Sequence, residues 1–142
     1  MSPQPIHATT VALCRPGDAW FGVMLSGPSG GGKSDLALRL IARGWRLVAD
    51  DYTHVFASGG HLYGTAPPAI GGRIEVRGVG IVGQPTLALA RLGLVVALTT
   101  GPVERLPEPG FETHHGVDLP LVALYGFEAS AVEKVTVLSR RL

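Results

Sequence analysis

The chain has 142 residues, 46% of them apolar and 16% charged, which suits a buried globular core and excludes a disordered, charge-solvated chain. A net charge of +1 gives no electrostatic case for nucleic acid or an anionic membrane surface, and no apolar run is long enough to span a bilayer. The single cysteine, Cys14, excludes an internal disulfide framework and a cysteine metal cluster, so a reducing cytoplasm is the expected setting; residues 1–10 carry no signal-peptide pattern.

In chain order, residues 9–13 and 20–25 read as two strands joined by a turn at Arg15-Pro16-Gly17-Asp18. Next comes Gly27-Pro28-Ser29-Gly30-Gly31-Gly32-Lys33-Ser34, which matches G-x-x-x-x-G-K-[ST] at every fixed position. A buried strand precedes it, and apolar residues at helical spacing follow over 36–42, the strand–loop–helix context the motif requires. Such a loop turns successive N–H groups and a helix N-terminus toward phosphate oxygens. Lys33 then reaches the outer phosphates, and the Ser34 hydroxyl is placed to hold Mg²⁺. Only two of the chain's basic residues are lysines, Lys33 and Lys134, against ten arginines. The loop therefore implies a nucleoside triphosphate, bound with Mg²⁺.

Beyond the helix, whose expected stop is Gly44, residues 46–49 form a short apolar strand ending on Asp50-Asp51. Residues 52–57 and 61–64 suggest a hairpin around Ser58-Gly59-Gly60, and 74–76 another short strand running into a glycine-punctuated stretch. Residues 94–99 and 121–124 read as strands. The intervening 101–117, rich in Pro, Gly and His, reads as a long loop, and 129–138 fits either a helix or a strand. The expected architecture is α/β: a β-rich sheet carrying one main helix, that of the phosphate loop.

An apolar strand ending in carboxylates is where such folds keep their magnesium-side aspartate. Side chains alternate along a regular strand, so one of Asp50 and Asp51 should face the γ-phosphate while the other turns toward a loop or neighbour. A carboxylate beside the transferring group can take the proton of an incoming hydroxyl; a solvated turn pair is the plainer alternative. Glu75 and Arg77 share one face of their strand, suited either to a metal and phosphate oxygens or to an exposed ion pair. His7, His54, His61, His114 and His115 show no metal-ligand spacing.

Several blocks in order give the chain its resemblance. They are the loop through Asp35, then Arg43-Gly44-Trp45-Arg46-Leu47-Val48-Ala49-Asp50-Asp51, then Gly64-Thr65-Ala66-Pro67-Pro68. The most specific is Ile74-Glu75-Val76-Arg77-Gly78-Val79-Gly80-Ile81-Val82. Together they resemble the catalytic domain of HPr kinase/phosphorylase over roughly residues 5–125, with a nucleotide site related to that of phosphoenolpyruvate carboxykinase. The resemblance implies one P-loop kinase domain over 1–142, in a short α-proteobacterial form without the N-terminal domain of longer members. It also implies ATP- and Mg²⁺-dependent phosphorylation of a serine on the phosphocarrier protein HPr. Asp50 matches the proton acceptor, Ser34 and Glu75 the magnesium ligands, and His7 and Arg105 a catalytic histidine and arginine beside Lys33. Family members are hexameric, so the resemblance allows a homo-oligomer. Asp35 stands where the family usually has Glu. The segment Tyr125-Gly126-Phe127-Glu128-Ala129 lacks the basic stretch linked to dephosphorylation, which implies a better kinase than phosphorylase. A small-molecule kinase and an ATP-binding regulatory module are the competing readings.

Overall fold

The computed structural model describes residues 4–17, 19–28, 30, 32–68, 72–76, 78–101, 103 and 110–142. The chain opens with the antiparallel pair β1 (Thr9–Arg15) and β2 (Ala19–Ser26), then the phosphate loop and α1 (Lys33–Ile41). The helix ends as its sequence suggests, the Gly44 N–H returning to the Ile41 carbonyl at 3.0 Å. Four short strands follow: β3 (Arg46–Ala49), β4 (His54–Ser58), β5 (His61–Thr65) and β6 (Arg73–Val76). The chain closes through β7 (Gly80–Gly83), β8 (Leu89–Thr99), β9 (Gly110–His114), β10 (Val117–Tyr125) and α2 (Ala131–Arg141).

The main sheet runs β3-β1-β2-β8-β10-β9, with β5 on the β8 edge and β4 beside it; β6 and β7 form a separate hairpin. Strands β2, β8 and β10 are mutually parallel, so Ser26, Thr99 and Tyr125 end at the same side of the sheet. The phosphate loop leaves β2 on that side. In sheets of this kind ligands bind outside the carboxyl ends of the parallel strands.

Alternation along β2 and β8 sends side chains to two cores. Val23, Leu25, Leu94 and Val96 pack with Leu36 and Leu40 of α1 and Val132 and Val135 of α2, while Met24 and Val95 join Val55, Leu62 and Leu92 on the other face. Leu92 and Leu94 part company because the β2–β8 register shifts between Gly22 and Val23, leaving Gly93 as the extra residue of a bulge. A Cβ on Gly93 would run into the Phe21 ring.

Three expectations change. Residues 101–117 do not form one loop: Gly110–His114 pairs with β10 through a two-residue turn at His115 and Gly116, with φ of 48° and 77°. Its alternation was hidden because polar Glu112 and His114 take the half-buried positions while Phe111 is exposed. The strand expected at 94–99 extends back to Leu89, past Arg91 and the bulged Gly93. The ambiguous C-terminal stretch is a helix, its apolar side closing over α1.

Candidate active site

The site begins with three buried threonines. Thr53 Oγ1 donates to the Ala8 carbonyl at 2.9 Å and lies 2.7 Å from Thr10 Oγ1, while backbone bonds join Ile6 and Thr53 in both directions at 2.8 Å. These bonds clamp the segment before β1 against the turn after β3, which brings His7 to the aspartate pair. Thr9 Oγ1 accepts the Asp51 N–H at 3.0 Å and donates to Asp50 Oδ1 at 3.1 Å.

The two aspartates differ sharply in surroundings. Asp50, 8% exposed, accepts the Ser34 hydroxyl on Oδ1 at 2.6 Å and the Glu75 N–H on Oδ2 at 3.2 Å, besides the Thr9 hydroxyl. Its carboxylate is thus committed to three donors from three separate segments. Asp51 has a left-handed backbone, φ 65°, and an exposed side chain that accepts His7 Nε2–H at 2.8 Å. The His7 ring in turn lies 5.3 Å from that of Tyr52. Adjacent carboxylates can both serve one site here because β3 ends at Ala49 and the alternation ends with it.

Across from them, Lys33 is 6% exposed and its Nζ donates to the Gly27 and Pro28 carbonyls at 2.9 and 3.1 Å, inside the loop's curve. The helix starts from Gly32 at φ 92°, a left-handed conformation that a side chain would strain, and its carbonyl accepts the Leu36 N–H at 2.8 Å. Lys33, Ser34, Asp35, Asp51 and Glu75 all line one cleft of about 360 Å³, which Leu38 and Phe127 also line. Asp35 faces back along the helix, 3.2 Å from Arg39 Nε, a charge contact rather than an aligned hydrogen bond.

Of the sequence-derived candidates, Gly27, Pro28, Gly30, Gly32, Lys33, Ser34, Asp35, Asp50, Asp51, Glu75 and His7 therefore gather at one end of the sheet. Ser29, Gly31, Arg77 and Arg105 lie outside the described residues. Sequence reading passed over Thr9 and Phe127; Thr9 bridges a separation of about forty residues, for which no local pattern exists.

Ser34, Asp50 and Glu75 offer hard oxygen donors of the kind magnesium takes. Among the described residues, no group of three or more His, Cys, Asp or Glu could hold a metal alone.

A mixed sheet with three parallel strands, a phosphate loop after one of them and a buried aspartate under the loop serine make this a P-loop domain. The HPr serine kinase C-terminal domain model matches residues 11–87. HPr kinase/phosphorylase of Clostridium tetani is 48% identical over 67 residues, which are 47% of this chain and 22% of that protein. The Limosilactobacillus reuteri enzyme of the same name is 38% identical over 116 residues, 72% of this chain and 36% of that protein. The structure of the HPr(Ser) kinase/phosphatase from Coxiella burnetii superposes with a TM-score of 0.82 at 25% identity, covering 98% of this chain and 95% of that one. The chain belongs to the HPr serine kinase C-terminal domain family. It spans between about a fifth and about a third of the length of these curated relatives.

Proposed function

We propose that residues 1–142 act as a P-loop kinase domain that transfers the γ-phosphoryl group of ATP to a serine hydroxyl of HPr. The observation that carries this reading is the convergence of Lys33, Ser34, Asp51 and Glu75 on one cleft at the carboxyl ends of the parallel strands. The loop N–H groups and Lys33 bind the phosphates; Lys33 exchanges its bonds to loop carbonyls for phosphoryl oxygens. Ser34 and Glu75 would hold a magnesium ion, which would supply positive charge to the phosphate oxygens, and Asp50 orders both residues through the Ser34 hydroxyl and the Glu75 N–H.

The assignment of the acceptor moves from Asp50 to Asp51. Asp50 is buried and engaged by three donors, so taking a proton would break the bonds that align Ser34 and Glu75. Asp51 opens into the cleft and only His7 engages its side chain among the described residues, within reach of an incoming hydroxyl. The seryl O–H gives its proton to the Asp51 carboxylate, the seryl oxygen bonds the γ-phosphorus, the bridge to the β-phosphate breaks, and ADP departs. His7 orients the acceptor, and Arg105 stabilises the charge on the transferring group. The reverse reaction is weaker, because Glu128 stands in the segment where the family carries basic residues.

The test is incubation of the chain with γ-labelled ATP, Mg²⁺ and purified HPr, followed by mapping of the label. One modified serine per HPr is expected. Binding of ATP without any labelled HPr would instead favour a nucleotide-binding regulatory module.

A further inference from the structure

We infer that Phe127 is the platform on which the nucleoside end of the bound nucleotide stacks, an inference that rests on the nucleotide reading and gives the cleft its second half. The carboxylates assigned to the metal and the acceptor lie on one side of the loop strand. Asp50 and Asp51 follow β3, two strands from β2, and Glu75 is tied to Asp50 through its own N–H. The metal ligands and the acceptor belong to the terminal phosphate, so that end of the nucleotide points toward β3. The nucleoside must leave the loop on the opposite side, where β10 lies two strands from β2 in the other direction. Phe127 sits in the turn that ends β10 and is the one aromatic residue lining the cleft among the described residues.

The turn is built to hold this ring. Arg39, from the phosphate-loop helix, donates through Nη2 to the Gly126 carbonyl, so helix and turn move as a unit. Glu128 N–H bonds the Tyr125 carbonyl at 3.3 Å, and the Tyr125 ring meets Phe127 edge-on at 6.0 Å. The Phe127 ring edge comes within 3.0 Å of where a Cβ on Gly32 would lie, which seats the ring against the loop's left-handed residue. Held there, the ring is still 49% exposed. A fixed, half-bare aromatic ring at the mouth of a phosphate site is the arrangement a base or ribose would cover. Among the described residues, Arg39 and Asp35 are engaged with each other and the turn, and Glu128, next to Phe127, with Lys134, so what the platform offers a base is stacking. Stacking of this kind is tolerant of base identity.

The experiment compares equilibrium binding of MgATP and of magnesium tripolyphosphate to the unmodified chain, Phe127→Ala and Phe127→Trp. Phe127→Ala should weaken ATP binding roughly ten-fold while changing tripolyphosphate binding less than about two-fold. Phe127→Trp should retain ATP affinity, and its added indole emission should respond to ATP and not to tripolyphosphate. Equal weakening of both ligands by Phe127→Ala would make the ring a prop for the loop, and no weakening of either would remove it from the nucleotide; each overturns the inference while leaving the phosphate site standing. Failure of the unmodified chain to bind either ligand would overturn the nucleotide reading and this inference with it.

Discussion

Replacing each aspartate in turn by asparagine separates their roles, because the two sites differ in burial and partners. In Asp50→Asn one carboxylate oxygen becomes an NH₂ group facing donors: the Ser34 and Thr9 hydroxyls on one side, or the Glu75 N–H on the other. With the NH₂ toward the Glu75 N–H, a buried donor meets a donor, at a cost of about 1–3 kcal/mol. With it toward Ser34 and Thr9, both hydroxyls must turn round to accept, and the charge that strengthened their bonds is gone, a loss of similar size. For a chain of this size that corresponds to a fall in Tm of roughly 3–10 °C, and Mg²⁺-dependent ATP binding should weaken as Ser34 and Glu75 lose alignment. Asp51→Asn removes only an exposed bond to His7, so stability should change by less than about 0.5 kcal/mol. ATP affinity should stay within a few-fold, while single-turnover transfer to HPr slows by about 10²–10⁴, the scale for loss of a general base. Thermal melts, ATP titrations and rapid-quench transfer assays read the three quantities. An Asp51→Asn protein that transfers at the unmodified rate, or an Asp50→Asn protein that melts and binds normally yet fails only in transfer, would return the acceptor role to Asp50.

Lys33→Ala should abolish transfer and weaken ATP binding, since it removes the loop's own cation; undiminished labelling of HPr would exclude this loop as the catalytic nucleotide site. Arg105→Ala should reduce turnover far more than ATP affinity, as expected of an arginine stabilising charge in the transferring group; equal losses in both would make it a ground-state contact. Given phosphoseryl-HPr and inorganic phosphate, the chain should release pyrophosphate far more slowly than it phosphorylates HPr, because gathering those anions needs cations and the Glu128 region supplies a carboxylate. Comparable rates in the two directions would refute that expectation. Gly93→Ala should destabilise by about 1–3 kcal/mol through its clash with the Phe21 ring, leaving ATP affinity little changed; an unaltered Tm would mean that the bulge repacks freely.

The phosphate site was legible in the sequence because its parts are contiguous. A strand, a glycine-rich turn and a helix start within about fifteen residues, and the local backbone conformation alone aims the N–H groups. The Asp50-Asp51 and Glu75 blocks were legible as candidates for a similar reason: each closes or occupies a short apolar strand. The different surroundings of the two aspartates were not legible. A regular strand would send them to opposite faces; β3 ends at Ala49, as the sequence suggested, but only the tertiary structure turns Asp51 left-handed and holds its N–H on Thr9. The pairing of His7 with Asp51 likewise depends on hydroxyl bonds linking residues 8–10 to Thr53 across the sheet, contacts that no sequence period encodes. Strand β9 stayed hidden because an edge strand with polar half-buried positions lacks the apolar alternation by which strands are recognised. Chain-local geometry thus marked the proposed phosphate site. Long-range pairing decided which groups face it, because the orientation of a side chain depends on neighbours that only folding brings together.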